Sequence, residues 1–154
     1  IICVDAYRPP YIPWHMTTRE FFQIARNRLK DDGVLAINVG RAPNDRRLID
    51  GLVSTIQEVF PSVYVMDVPG SFNSIVYATV QPTEIINLYL NFNLLKGSQV
   101  HPLLLESIQT AIVSMQPTPQ NVGIVYTDDW APIEWVTNNM VLNFMLFGDM
   151  EVLQ

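Results

Sequence analysis

Ile1-Ile-Cys-Val-Asp-Ala-Tyr-Arg-Pro-Pro-Tyr-Ile-Pro-Trp-His15 is the stretch from which the fold is read. Four apolar residues, mostly β-branched, run straight into Asp5. An apolar run of that length, with no polar alternation, predicts a strand buried on both faces, as in a parallel sheet. The residues after Asp5 suit neither strand nor helix. Pro9, Pro10 and Pro13 remove backbone donors and push the residues before them into extended conformations. Asp5 therefore stands at the carboxyl end of a strand and opens a stiff loop carrying Tyr7, Tyr11 and Trp14. In open α/β sheets, ligands bind just outside the carboxyl ends of the strands. Two readings of Asp5 stay open: a turn cap, or a carboxylate in a site.

The segments beyond this loop extend an α/β pattern. Thr17-Thr-Arg-Glu20 fits a capping box, so a helix is expected from about 18 to 31, with Phe21, Phe22, Ala25 and Leu29 on one face and Gly33 just past its end. Val34–Val39 reads as a second buried strand. Asn44 or Asp45 is expected to cap a helix over about 45–60, whose Leu48, Ile49, Leu52, Val53, Ile56, Val59 and Phe60 keep helical spacing up to Pro61. Ser62–Val68 and Ser74–Val80 flank Pro69-Gly-Ser-Phe-Asn73, a turn short enough to demand an antiparallel hairpin. The expected sheet has Ile1–Val4, Val34–Val39 and Ser62–Val68 parallel, with Ser74–Val80 antiparallel between the latter two.

The first eighty residues carry a resemblance. Asp5-Ala-Tyr-Arg-Pro9, followed by Met16-Thr-Thr-Arg-Glu-Phe-Phe22, resembles the acceptor-side segment of the spermidine and spermine synthases, the polyamine aminopropyltransferases. The order of elements resembles the second half of a Rossmann-like class-I methyltransferase sheet, with its reversed last strand. The resemblance puts Asp5 on the family's presumed base and Pro9 on its proline. It implies that Asp5, Ala6 and Pro9 touch the donor, decarboxylated S-adenosylmethionine, and that Tyr7, Arg8, Tyr11 and Trp14 face an amine acceptor. Arg8 departs from the pattern, because it falls where the family carries a second Asp that holds the amine. The family's donor-binding half, with its Gly-rich loop, has no counterpart in the sequence. With the opening Ile in mid-strand and no initiating Met, this leads to the expectation of a piece of a longer protein, associating with itself or with that other half.

After Gln81-Pro82 the pattern turns helical. Thr83 is expected to cap a helix closed near Gly97, and His101 to cap another that starts at Pro102 and runs to about Met115. Gln116-Pro-Thr-Pro119 reads as a break. The expected organisation is a Rossmann-like catalytic half over 1–80 and a helical extension over 81–154, packed on the same domain. Within the extension, Ile124-Val-Tyr-Thr-Asp-Asp-Trp-Ala-Pro-Ile-Glu-Trp135 resembles a Thr-Asp-Asp-x-x-Pro-x-Glu segment of bacterial spermidine synthase-like proteins, some of them fused to membrane segments. Asp128 and Asp129 can cap a helix beginning near Pro132, with Glu134 at its positive end. They can also form, with Trp130 and Trp135, a lid on the Asp5 loop.

Composition limits the alternatives. The chain has 154 residues, 49% of them hydrophobic, which matches one domain with a sizeable core. Cys3 is the only cysteine, so an internal disulfide is excluded, and its strand position predicts a core thiol. His15 and His101 have no companions at metal-ligand spacing, and no metal is expected. No apolar run reaches the length of a membrane span. These features predict a cytoplasmic location, with any membrane anchor lying elsewhere in the parent protein. Residues 1–80 hold eight acids and eight bases, whereas 81–154 hold seven acids and one base, Lys96, so the net charge of −6 comes from the second half. Such acidity serves solubility, or gathers cationic substrates, and offers no basic stripe to nucleic acid.

Three functions remain open. The first is the acceptor part of an aminopropyltransferase. The second is an S-adenosylmethionine-dependent methyltransferase-like enzyme with an anionic acceptor, for which Arg8 would be an asset. The third is a non-catalytic Rossmann-like binding module.

Overall fold

The computed structural model describes residues 1–6, 12–117 and 122–147. Strand β1 (Ile2–Val4) is followed by a single 3-10 turn at Trp14–Met16 and helix α1 (Arg19–Arg28). Strand β2 (Val34–Gly40), helix α2 (Arg47–Gln57) and the hairpin β3 (Ser62–Asp67) and β4 (Asn73–Thr79) complete the first half. The second half contains helices α3 (Ile86–Lys96) and α4 (Pro102–Ser114), a short strand β5 (Met115–Gln116) and helix α5 (Ile133–Phe147).

The five strands form one mixed sheet in the order β1-β2-β4-β3-β5. β1 pairs with β2 in parallel, and β4 lies antiparallel between β2 and β3, as the sequence pattern predicts. β5 departs from expectation. The apolar spacing of α4 continues into Met115, but the chain turns extended there and pairs with Val65 and Met66 of β3.

One sheet face holds the core. Leu35, Ile37 and Val39 of β2, Val63 and Val65 of β3, and Val76 of β4 are buried with Phe22 and Ala25 of α1 and the apolar stripe of α2. The same cluster includes Tyr126, Ile133 and Val136. The chain after Gly123 is anchored on α2 through hydroxyls: the Tyr126 amide donates to Thr55 Oγ1 at 2.9 Å, and Thr55 Oγ1 donates to the Gly51 carbonyl at 2.8 Å. Gly51 is required by packing here, because a Cβ built on it would collide with the Tyr126 hydroxyl and ring.

Several local expectations are corrected. β1 lies at the sheet edge, as expected where its other neighbour is lacking, but it is not buried on both faces: Val4 is buried, Ile2 is half-buried and Cys3 is exposed. Cys3 is therefore not a core thiol. Helix α1 ends at Arg28, where Leu29 turns extended, and Gly33 is not its left-handed terminator. Gly33 is instead needed for close approach, since a Cβ would lie 2.7 Å from the Lys30 carbonyl oxygen. The cap of α1 is Thr18, whose hydroxyl accepts from the Phe21 amide at 3.2 Å, so Glu20 stands one position short of closing a capping box. Arg46 occupies the cap position of α2, with Asp45 Oδ1 accepting from the Arg47 amide. Thr83 does not cap α3: its backbone and hydroxyl are tied to Ser62, Tyr64 and Thr79 of the sheet. His101 does cap α4, its Nδ1 accepting from the Leu103 amide at 3.2 Å.

Candidate functional site

Asp5 lies just beyond β1 at the carboxyl end of the parallel pair, where β2 is its neighbour. The register pairs Cys3 with Ala36, which sets Asp5 beside Asn38. Asn38 Nδ2 donates to Asp5 Oδ1 at 3.0 Å. The Asp5 side chain is exposed and acceptor-only when ionised, so it remains open to a proton donor. Asn38 is a site residue that sequence reasoning misses. The signal for it is a polar residue inside the apolar Val34–Val39 run, in phase with Asp5 on the neighbouring strand.

A second set of expected residues meets at one hollow. Trp14, Asp128, Asp129, Ala131, Pro132, Glu134 and Trp135 line an open depression of about 500 Å³. Trp14 comes from the 3-10 turn, which is closed by the Thr17 amide donating to the Trp14 carbonyl at 3.0 Å. Trp135 is exposed on α5, and Trp130 lies just beside the acids. Three carboxylates and two indoles thus face one space. Among the described residues that line it there is no cation. Such a hollow attracts a positive group by charge and by the faces of aromatic rings.

Asp128 is held by the start of α1. Thr127 and Trp130 bridge each other across a tight turn that carries Asp128 and Asp129. Thr18 Oγ1 donates to Asp128 Oδ1 at 2.7 Å, the Asp128 amide donates to Glu20 Oε2 at 3.1 Å, and the Arg19 amide donates to the Tyr126 carbonyl at 2.8 Å. The Asp128 carboxylate thus sits at the positive end of α1, which favours an anion. Hydrogen bonding from its own backbone amide, against a small desolvation, and then from Arg19 and the Asp128 amide, lowers the Glu20 carboxyl below its ordinary value.

Tyr7, Arg8, Pro9 and Tyr11 lie outside the described residues. Ala6 is partly buried against the core beside Asp5. Asp5 is not among the residues that line the hollow, so the described residues form two features, the Asp5–Asn38 pair and the acid-and-indole hollow. Among the described residues no group of three or more His, Cys, Asp or Glu is placed to hold a metal ion. No helix of the described residues is long and apolar enough to cross a membrane.

The chain is similar to a probable polyamine aminopropyl transferase of Bifidobacterium longum, with 27% identity over 148 residues that cover 87% of this chain. The match covers 33% of that protein, so the chain spans about a third of the length of the curated relative. At this identity the likeness is distant, and it supports the family without placing the chain in it. No family model matches the chain, and no solved structure matches it.

Proposed function

We propose that the chain is the acceptor-side part of a spermidine synthase-like enzyme that transfers an aminopropyl group from decarboxylated S-adenosylmethionine to an amine. The observation that carries this reading is the gathering of Trp14, Asp128, Asp129, Glu134 and Trp135 around one hollow, in a chain whose curated relative bears an aminopropyltransferase name. An amine acceptor is protonated at neutral pH, and its lone pair is hidden until that proton leaves. The hollow supplies carboxylates and indole faces for the cationic chain of such an acceptor. Asp5 takes the proton. The freed nitrogen then attacks the donor's aminopropyl carbon, the carbon–sulfur bond breaks, and its electron pair neutralises the sulfonium to a thioether. The donor nucleotide would touch Asp5, Ala6 and Pro9, and the rest of its site belongs to the full-length protein.

The anionic-acceptor alternative gains nothing from Asp128, Asp129 and Glu134, which would repel a carboxylate or phosphate. The test is a comparison of acceptors in the full-length protein. Di- and polyamines are expected to be consumed with release of the thioether product, and Asp128→Asn with Glu134→Gln to raise KM for the amine by about tenfold, since each removes an acceptor for the ammonium group. Turnover of anionic acceptors alone would overturn the proposal.

A further inference from the structure

We infer that Asn38 is the positioning residue for Asp5, resting on the reading of Asp5 as the base. Asn38 Nδ2 donates to Asp5 Oδ1 at 3.0 Å across the parallel pair of strands. An ionised carboxylate can only accept, so the atom facing Asp5 must be the amide nitrogen, which fixes the orientation of the whole side chain. That leaves Asn38 Oδ1 on the inner side, buried and with no hydrogen-bond partner among the described residues. An orphaned buried acceptor is destabilising, and native structures carry few of them without a reason. Along the same face of β2 stand Val34 and Ala36, and the cross-strand neighbour of Asn38 on β4 is Ile75. An aliphatic residue at this half-buried position would pack against these neighbours without leaving a buried acceptor unpaired. The amide is retained at a cost to the fold, and its one visible return is the bond to Asp5.

That bond fixes one carboxylate oxygen and leaves the other, Oδ2, for the proton. A lone exposed Asp after a strand would otherwise sample several rotamers, of which few point at a substrate nitrogen. Holding a proton acceptor in line with the group that it serves is a large part of general-base catalysis. Asn38 touches no substrate and acts only through Asp5.

Two signs separate this role from a structural one. In the full-length protein, Asn38→Leu removes the orphaned oxygen and the tether together. The melting temperature should hold or rise, kcat should fall about tenfold, and KM for the amine should stay within about twofold, because the hollow is untouched. Asn38→Asp keeps the size, replaces the donor with a like charge and should lower kcat further at neutral pH. A fall in melting temperature with kcat intact for Asn38→Leu, in an enzyme that Asp5→Asn inactivates, would overturn the positioning role and leave Asp5 as base. Full turnover of Asp5→Asn would overturn the base assignment itself, whatever Asn38 does.

Discussion

Asp5 is expected to carry the proton transfer. Asp5→Asn preserves size and turn chemistry but cannot accept a proton, and turnover of the full-length protein should fall at least about a hundredfold in a steady-state assay. Arg8→Asp, at the position where the resemblance places a second carboxylate, should raise or preserve affinity for a polyamine. A large loss there would point to an anionic acceptor. Away from the chemistry, Gly51 is the most constrained small residue on α2, because the Tyr126 ring fills the space of its missing Cβ. Tyr126 is 1% exposed and cannot swing away. Gly51→Ala should therefore destabilise the fold by about 1–3 kcal/mol, the usual range for overpacking, and chemical denaturation will read it.

Two side-chain clusters tie elements together. At the first, Thr18 caps α1 and also binds Asp128, so it joins the helix to the turn that carries the acids. Thr18→Ala should lower stability by about 1 kcal/mol and also weaken amine binding, because Asp128 loses its tether. At the second, Asp67 at the end of β3 accepts from Arg46 at the start of α2, from the Ser74 hydroxyl of β4, and faces Arg41 at 3.5 Å. Burial alone would raise its carboxyl. The bonds from Arg46 and Ser74 and the charges of Arg46 and Arg41 outweigh burial and hold it below the ordinary carboxylate range. A carboxyl depressed in the folded state stabilises the fold above its unfolded value and loses that contribution as pH falls through the folded value. Thermal melts from about pH 4 downward should therefore fall more steeply for the natural chain than for Asp67→Asn.

At the scale of the whole molecule, the sheet order leaves β1 at an edge. Ile1 is 94% exposed, Cys3 is exposed, and no charge or proline interrupts Ile1–Val4. Edges of this kind pair with other strands unless they are blunted. The 154-residue chain alone is expected to self-associate in light scattering, and Cys3→Lys should reduce that association. It should also bind the donor nucleotide weakly. Micromolar donor binding by a monodisperse monomer would place the nucleotide site within these residues and overturn the assignment of Ile1–Asp5 to the centre of a larger sheet.

The four main strands, the hairpin and the two helices that cover them are legible in the chain before any contact is known, and the order of the strands is what the methyltransferase-like resemblance implies. Those elements rest on local signals: β-branched runs, a short Pro-Gly turn, a 3.6-residue apolar spacing and terminal prolines. Trp14, Asp128, Asp129 and Glu134 are legible too, because acids and aromatics near turns stand out against an apolar background. What those side chains meet is decided by packing. Thr18 and Asp128 are 110 positions apart, and their bond exists only because Tyr126 is driven into the core over Gly51. The two-residue β5 is too short for any periodicity, and it forms only because β3 offers Val65 and Met66 for pairing. Cys3 reads as core and lies exposed, because an apolar run looks the same at a sheet's centre and at its edge. Asn38 carries no local mark for a related physical reason: its significance lies in the register between two strands, and register is set by packing rather than by either strand alone.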